Sequence, residues 1–550
     1  MIMTPGFSTH EVTNQPPPLE GHNVFASDVA LSEATEREGA GWATDDLLAL
    51  GERAGSAECL EWGRQANADP PTLRTHDRYG HRLDVVDYHP AYHELMSVAV
   101  ANGIHAGPWA DGRPGAHVAR AAKFIVWYQV DGGHHCPISM TYSAVPPLRH
   151  APELAAEWEP LLTSPRYDPA NRPAAEKRGA TFGMAMTEKQ GGSDLRTNTT
   201  SADPAADGTY RLTGHKWFCS APMSDGFLML AQAPGGLTCF LVPRWLPDGE
   251  RNAIHLQRLK DKLGDRSNAS SEIELFETWG ARVGDEGAGV RTIIEMVNHT
   301  RLDCTLASAA VMRQGVALAS WHAHHRSAFG GVLDSQPLMV NVLADLAVES
   351  EATTLAALRL ARTFDADPAD EDEQLLKRLL TPVLKYWACK RAPQHAAESL
   401  ECLGGSGYVE ESDLPRLFRQ SPVNGVWEGS GNVICLDVLR ALAREPRSLE
   451  RYWAEVELAS GADARFDAAV ADLHAQLGDL DGIEVRARRL VEAMATVFQA
   501  SLLVRHAPAP VADAFVASRL DRGSGRVFGT LPSGLDLVPI VERARPAGPV

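Results

Sequence analysis

The sequence predicts an α+β multidomain fold in which a β domain interrupts a mostly helical chain. Residues 181–280 contain short runs rich in Val, Leu, Phe, Tyr and Thr, separated by Asp-Gly and Pro-Gly-Gly turns, which is typical of antiparallel strands. The flanking segments have helix-forming composition, and Val290, Ile293 and Val297 recur at the spacing of one helical face. A chain of 550 residues is too long for one compact core, so several domains are expected.

Changes in composition divide the chain into five segments. The first is polar and rich in proline, so we expect an extended arm that either frays or drapes over a partner subunit. The predicted order is this N-terminal arm (1–28), an N-terminal helical domain (29–180), a middle antiparallel β domain (181–286), a C-terminal helical bundle (287–442) and a helical C-terminal extension (443–550).

Charge and cysteine usage limit the classes of function. The formal net charge of -19 argues against non-specific binding of nucleic acid or anionic membranes by the whole surface, although a local basic patch remains open. The eight cysteines are scattered without metal-ligand spacing, which indicates reduced thiols in the cytoplasm and no metal site. No apolar run reaches the roughly 18 residues that a membrane helix needs, and the N-terminus lacks a secretory signal.

One carboxylate stands out in the stretch SPVNGVWEGSGNVICLDVLR, residues 421–440. Glu428 is the only acid among the first sixteen residues of that stretch. It is either solvated on an exposed loop or held in a poorly hydrated pocket, where desolvation raises its pKa and makes it a usable general base. Composition alone favours the exposed loop.

Three further motifs have both a ligand-binding and a structural interpretation. The loop MAMTEKQGGSD (184–194) can hold a heteroaromatic ring or a pyrophosphate through its N–H groups, or it is a polar turn. The strand LTGHKWFCSAP (212–222) offers aromatic rings for stacking, or an ordinary core pair. The glycines of ECLGGSGYVEESDLPR (401–416) fit a binding loop or a helix C-cap. The GSGN that follows Glu428 places free N–H groups at a helix N-terminus, which suits a phosphate.

Taken together and in this order, these motifs resemble the acyl-CoA dehydrogenase flavoprotein superfamily over roughly residues 130–442. The resemblance implies an acyl-CoA dehydrogenase-like fold and FAD as the cofactor. The element RSAFGGVLDSQ (326–336) resembles the one that reaches the FAD of a neighbouring subunit. The cofactor-binding residues implied by the resemblance are Met186, Thr187, Gly192, Ser193, Phe218, Cys219, Ser220, Arg326, Phe329, Gln336, Gly404, Gly405, Val426, Trp427, Gly429, Ser430 and Asn432.

The same resemblance assigns catalytic roles to two residues. Glu428 matches the catalytic base of most of the family, whereas another branch carries its base on a helix, one residue before an arginine. That alternative position is occupied here by Thr300, next to Arg301. The implied chemistry is removal of the α proton of a thioester while the β hydrogen leaves as hydride to the flavin. Arg301 is expected to position the ligand or the carboxylate, and a structural ion pair is the alternative.

Within the superfamily, the sequence most closely resembles the DNA-alkylation-response branch, the AidB-type flavoproteins. The matching stretches are MTEKQGGSD, RLKDKLGDRSNASSEIEL (258–275) and PVNGVWEGSGN. The resemblance implies a cytoplasmic homotetramer that binds FAD and double-stranded DNA in the adaptive response to DNA alkylation and in DNA repair. It also implies weak isovaleryl-CoA-like dehydrogenase activity on an acyl-CoA thioester. Electron-transfer flavoprotein is an open choice of electron acceptor.

The charge of the C-terminal extension allows a DNA-binding surface. Residues 441–550 contain thirteen Arg, no Lys and fifteen acids, so their net charge is -2 and that of the rest of the chain is -17. Arginine suits bidentate phosphate contacts, but a solvated helical face is the alternative. The candidate DNA-binding residues are Arg440, Arg486, Arg488, Arg489, Arg519, Arg522 and Arg526.

The sequence leaves two other functions open. The intact flavin motifs and Glu428 also suit a catabolic short- or branched-chain acyl-CoA dehydrogenase without a DNA role. A flavin-loaded structural protein with neither activity is a third interpretation. The physiological substrate, the acyl chain preference and the DNA sequence preference cannot be read from these motifs.

Overall fold

A computed structural model of the chain describes residues 9–246, 248–521 and 525–548. The N-terminal part is mostly helical, as predicted, but it also contains a two-stranded antiparallel hairpin that the composition did not suggest. Its elements are α1 (Val29–Thr35), α2 (Thr44–Ala54), α3 (Ala57–Ala68), β1 (Thr72–His76), β2 (Arg82–Asp87), α4 (Pro90–Ala101), α5 (Gly107–Ala110), α6 (Ala116–Tyr128), α7 (His135–Leu148) and α8 (Pro152–Leu162).

The middle segment forms a closed β barrel. Its strands are β3 (Phe182–Ala185), β4 (Ser201–Pro204), β5 (Tyr210–Ser220), β6 (Gly226–Ala233), β7 (Gly236–Pro243), β8 (Ile254–Leu259) and β9 (Ser270–Val283). The pairings run β6–β4–β5–β9–β7 and return to β6, with β3 on β6 and β8 on β9. Most pairs are antiparallel, as predicted, but β6 pairs in parallel with β3 and β4. Buried side chains such as Phe227, Met229 and Phe240 fill the interior.

A bundle of long helices follows the barrel. Its elements are α9 (Gly289–His325), β10 (Ser327–Ala328), β11 (Gly331–Val332), α10 (Pro337–Asp365), α11 (Glu371–Glu401), α12 (Gly405–Tyr408), α13 (Leu414–Gln420) and α14 (Gly431–Arg444). Their apolar faces pack against α6 and against one another, so the bundle and the N-terminal helices share one core.

The described part of the C-terminal extension packs against this bundle and shares its apolar core. It contains α15 (Arg447–Val456), α16 (Ala464–Gly478), α17 (Ile483–His506), α18 (Ala509–Phe515) and α19 (Val538–Ala544). Tyr452 and Phe498 of the extension are buried in the same apolar cluster as Leu306 of α9 and Leu384 of α11. Because this core is continuous, the position of α17 is fixed relative to α11 and α14.

The N-terminal arm, from residue 9 onward, packs on its own chain. Trp321 Nε1 donates to the carbonyl of Pro17 at 2.8 Å, and Leu19 is buried against Trp321. The side chain of Asn14 is hydrogen-bonded to the backbone of Ser327. From residue 9 onward the arm is therefore tied to α9 and the residues that follow it, and a contact with a partner subunit stays a prediction.

Two bulk properties follow from the same structure. Within the described ranges, no helix combines the length and apolar character that crossing a membrane would require. All eight cysteines are buried free thiols.

Candidate active site

Two cations hold the backbone of the Glu428 loop. Lys385 Nζ, on α11, donates to the carbonyls of Trp427 at 2.9 Å and of Gly429 at 2.6 Å. Arg301 Nε, on α9, donates to the carbonyl of Glu428 at 3.1 Å. Three successive carbonyls are thus bound by charged donors, which are stronger than neutral ones. This anchoring accompanies a backbone φ of 58° at Glu428, a left-handed conformation that costs a non-glycine residue about 1–3 kcal/mol.

The Glu428 carboxylate itself is left largely without hydrogen bonds. Although the residue as a whole is half-buried, its Oε2 atom is shielded from solvent and has no hydrogen-bond partner among the described residues. Burial raises the pKa of Glu428, while the Thr300 hydroxyl and the charges of Arg301 and Lys385 act in the opposite direction. The desolvated pocket, one of the two interpretations of the sequence, is therefore what the structure describes.

Arg301 is held in an ion-pair cluster behind this loop. Its Nη1 lies 2.7 Å from Oδ2 of Asp437, a buried residue of α14. Asp437 also pairs with Arg378 at 3.1 Å and Arg440 at 3.2 Å. The polar contacts of Arg301 thus run to the Glu428 carbonyl and to Asp437, so both earlier interpretations apply: it forms a structural ion pair and it positions the loop that carries the carboxylate.

The loop at residues 186–194 is pinned to β5 by a buried glutamate that the sequence analysis did not single out. Glu188 lies 2.8 Å from Lys216 Nζ, and both side chains are fully shielded from solvent. It also accepts hydrogen bonds from the Thr200 hydroxyl at 2.6 Å and the Thr199 N–H at 2.7 Å. Burial alone would raise the pKa of Glu188, but the charge and hydrogen bond of Lys216 outweigh it and lower the pKa to about 2.

The backbone of the loop at residues 186–194 passes so close to Thr187 that position 192 requires glycine. A Cβ at Gly192 would lie 2.3 Å from Oγ1 of Thr187, so only glycine lets the loop close over that hydroxyl. Asn198 Nδ2 donates to the carbonyl of Met186 at 2.9 Å and fixes the other end. Met186 and Thr187 are half-buried, whereas Ser193 is exposed.

The end of β5 presents alternate residues to opposite sides. Phe218 is 50% exposed, and the Ser220 hydroxyl lies 2.9 Å from that of Ser270. Cys219 points into the barrel core, so its thiol cannot line the predicted cofactor surface and only its backbone can. Lys260 Nζ lies 3.2 Å from the centre of the Trp217 ring, a cation–π contact that fixes this strand end.

The segment around Glu428 continues into the start of α14. Val426 is 66% exposed, while the half-buried Trp427 donates from Nε1 to Asn424 Oδ1 at 3.2 Å. Ser430 makes no side-chain capping bond, and Asn432 Oδ1 accepts a hydrogen bond from Arg488 Nε at 2.8 Å. Arg488 reaches this point from α17 in the C-terminal extension.

The other predicted cofactor residues lie on the outside of this single chain. Phe329 is 97% exposed, Gly404 and Gly405 are exposed, and Arg326 and Gln336 are half-buried. Arg326 donates to the carbonyl of Asn14 at 2.5 Å, so the N-terminal arm sets its position. Their predicted role at the cofactor of a neighbouring subunit stays a prediction.

The predicted DNA-binding arginines do not form one exposed set. Arg519 is held between Asp345 at 2.5 Å and Glu349 at 3.0 Å, both buried carboxylates, so it is unavailable to an external phosphate. This corrects its assignment: Arg519 anchors the extension to α10. Arg486 is drawn back to the carbonyls of Asp479 and Asp481.

Four of the remaining arginines face solvent. Arg440 is exposed although it pairs with Asp437, Arg488 is exposed although it donates to Asn432, and Arg489 and Arg526 are exposed. Arg522 lies outside the described residues. The exposed members are therefore spread over α14, α17 and the segment that follows residue 525.

Comparisons with known proteins agree with this architecture. Three family models match the chain: the adaptive response protein AidB N-terminal domain (residues 14–169), the acyl-CoA dehydrogenase middle domain (183–277) and the acyl-CoA dehydrogenase C-terminal domain (287–443). The predicted order of N-terminal helical, middle β and C-terminal helical domains is confirmed.

Two relatives and one solved structure are similar over most of the chain. AidB of Escherichia coli, named as an acyl-CoA dehydrogenase, is 48% identical over 94% of this chain and 96% of its own. Acyl-CoA dehydrogenase family member 11 of Caenorhabditis elegans is 31% identical over 86% of this chain and 81% of its own. A Caenorhabditis elegans structure in complex with C11-CoA superimposes with a TM-score of 0.84 at 28% identity, covering 99% of this chain and 93% of that one.

Proposed function

Because the chain belongs to the AidB branch of the FAD-dependent acyl-CoA dehydrogenase family, we propose that it oxidises an acyl-CoA thioester with Glu428 as the general base. The observation that carries this proposal is the carboxylate of Glu428, buried at Oε2 and without a hydrogen-bond partner there among the described residues. A raised pKa makes such a carboxylate a stronger proton acceptor than a solvated one.

The residues present fit FAD, the cofactor of this family. When bound, FAD supplies an isoalloxazine ring that accepts the hydride from the substrate. The close approach at Gly192 and the half-exposed ring of Phe218 suit a flat heteroaromatic ligand, and the uncapped start of α14 suits its pyrophosphate. The residues that would hold the cofactor are Thr187, Gly192, Phe218, Ser220, Ser430 and Asn432, with Arg326, Phe329, Gln336, Gly404 and Gly405 acting across a subunit interface.

The chain's own residues prepare the proton transfer. Arg301 and Lys385 fix the backbone on both sides of the Glu428 carbonyl, so the two cations hold the loop through its carbonyls and leave the lone pairs of the carboxylate unoccupied by them. Desolvation favours the protonated acid, which is the form that Glu428 adopts after it has accepted the α proton. The Thr300 hydroxyl, on the same helix as Arg301, limits how far the pKa rises.

The test is an anaerobic reaction of the FAD-loaded protein with short, branched and longer acyl-CoA thioesters, followed by bleaching of the flavin absorbance. We expect at least one thioester to bleach the wild type, and Glu428→Gln to slow this by about 10²- to 10⁴-fold, the usual contribution of a general base. FAD content of the variant is the control. An unchanged rate in Glu428→Gln would sink the proposed role.

A second candidate function, binding of double-stranded DNA in a response to alkylation, is supported by the similarity to AidB and by the exposed Arg489 and Arg526. Fluorescence anisotropy of a labelled duplex at several salt concentrations tests it, because each phosphate contact adds about -0.9 to the slope of log K against log salt. Replacing Arg489 and Arg526 by Met should flatten that slope, whereas Arg291→Met, an exposed change at the start of α9, should not.

The two functions make different demands on turnover. A catabolic short- or branched-chain dehydrogenase requires rapid turnover with its thioester and an electron acceptor, for which electron-transfer flavoprotein is one choice. The AidB-type interpretation, with a homotetramer and weak isovaleryl-CoA-like activity, predicts slow bleaching together with salt-sensitive duplex binding. Measuring both on one FAD-loaded preparation distinguishes them.

A further inference from the structure

We propose that Arg488, together with Lys390, binds the pyrophosphate of FAD, so that the C-terminal extension forms part of the cofactor site. The inference rests on the proposed FAD site at Ser430 and Asn432. It assigns Arg488, one of the predicted DNA contacts, to the cofactor instead.

Arg488 and Lys390 lie beside the start of helix α14. The helix α14 (Gly431–Arg444) is 14 residues long, and the side chain of Ser430 makes no capping bond to it. The first N–H groups of a helix have no partner within the helix, and they lie at the positive end of its dipole. An anion placed there satisfies both the hydrogen bonds and the field.

The two basic side chains lie close to the first residues of α14. Arg488 Nε donates to Asn432 Oδ1 at 2.8 Å. A Cβ built on Gly431 would lie 3.2 Å from Arg488 Nη2, 3.0 Å from Lys390 Cε and 3.4 Å from Lys390 Nζ. Two cations, one from α17 and one from α11, therefore stand against the first residue of α14. Burial raises the pKa of the nearby Cys435 thiol and both cations lower it, which is further evidence that they converge there.

Among the described residues, Arg488 and Lys390 form no ion pair with an acidic side chain. Near this point Arg391 pairs with Glu349, and Arg440 pairs with Asp437. In the described part of the chain no ion pair joins Arg488 or Lys390 to a carboxylate, although the net charge of the whole chain is -19. Two cations beside a positive helix end repel each other and the helix dipole unless an anion sits between them.

The surroundings of Arg488 favour the pyrophosphate of FAD over the phosphates of a DNA duplex. Asn432, the hydrogen-bond partner of Arg488, follows Glu428 by four residues in the segment that would hold FAD. Arg488 and the next residue, Arg489, are both exposed, but Arg488 is tied to the start of α14 by its hydrogen bond to Asn432, whereas Arg489 has no hydrogen bond or ion pair among the described residues. Arg488 lies beyond residue 443, where the match to the family's C-terminal domain ends, so this contact is an addition by the extension.

The experiment compares Arg488→Met with Arg489→Met in the full-length protein. The apoprotein is titrated with FAD, and binding is followed by quenching of flavin fluorescence. Arg488→Met should weaken FAD binding by about 10- to 100-fold, the loss expected for a charge-assisted hydrogen bond. Lys390→Met should also weaken FAD binding. Arg489→Met should leave it within about twofold.

Two further measurements make the result decisive. If Arg488 only ties α17 to α14, Arg488→Met will lower the thermal midpoint of the apoprotein but leave the upward shift on adding FAD unchanged, and the proposal is then wrong. Titrations with coenzyme A and with duplex DNA test the other phosphate sources: a loss confined to either ligand also overturns it. If the wild type binds no FAD, the proposed function itself fails; if wild type and Arg488→Met bind FAD equally, only this inference fails.

Discussion

Two glutamates at the candidate site are treated in opposite ways by the fold. Glu188 is surrounded by donors: Lys216, two threonines and their backbone, and its pKa is lowered to about 2. Glu428 keeps one carboxylate oxygen buried without a partner, and its pKa is raised. Both carboxylates lie in low-dielectric surroundings, so hydrogen bonding rather than burial separates them.

The difference shows where the molecule places its cations. Lys216 binds the carboxylate of Glu188 directly, which fixes a loop and removes any basicity from that group. Lys385 and Arg301 instead bind backbone carbonyls around Glu428. They hold the loop rigid while the side chain stays free to take a proton. A structural carboxylate and a basic one therefore differ in which atoms their cationic neighbours contact.

The largest effect we expect is a loss of stability when the ion pair between Glu188 and Lys216 is removed. Glu188→Gln leaves Lys216 buried with its charge uncompensated, which should lower the free energy of unfolding by about 3–5 kcal/mol. Urea denaturation measures it. The double variant Glu188→Gln with Lys216→Met should recover part of the loss, because it removes the unpaired charge. Since the folded pKa of Glu188 is depressed, its contribution is present at neutral pH and is lost as pH falls through about 2.

If the double variant loses as much stability as the two single variants added together, this explanation is contradicted. It would mean that Glu188 acts through its bonds to Thr199 and Thr200 alone. Glu274→Gln, a change on the same barrel at a residue for which no ion pair is found in the described chain, is a suitable control and should shift stability by less than about 0.5 kcal/mol.

A smaller effect is expected at the cations around Glu428. Arg301→Lys keeps the charge but loses the two-pronged contact with the Glu428 carbonyl and Asp437, so flavin bleaching should slow by roughly tenfold. Arg301→Met also removes a charge that lowers the pKa of Glu428, so its pH profile should move to higher pH while that of Arg301→Lys stays in place. Identical profiles for the two variants would show that Arg301 acts by packing only.

The sequence predicted the parts of this arrangement that are local. Turn residues marked the β domain, whereas the isolation of Glu428 left an exposed loop and a desolvated base both open, and its role as the base was implied by the resemblance to the acyl-CoA dehydrogenases. The hairpin β1–β2 was missed because it lies between segments of helical composition, although an Asp-Arg-Tyr-Gly turn at residues 77–80 is a signal that could have found it.

What the sequence could not predict depends on long-range packing. Lys385 lies over forty positions before the carbonyls it binds, and Arg488 reaches Asn432 only because α17 docks on the bundle. Arg519 had the same appearance in the sequence as Arg489, yet one is buried against Asp345 and the other is exposed. Charge counts give the number of arginines in a segment, but only the fold decides which of them meet a carboxylate.

The smallest effect tests the fine setting of the base. Thr300→Val removes the hydroxyl that lowers the pKa of Glu428, so that pKa should rise further. Only the carboxylate form accepts a proton, so the bleaching rate falls as pH drops through the pKa of Glu428, and this acidic limb should move to higher pH. The rate at high pH should be unchanged, because there the base is ionised in both proteins. Thr300→Ser, which keeps the hydroxyl, is the matched control and should leave the limb in place.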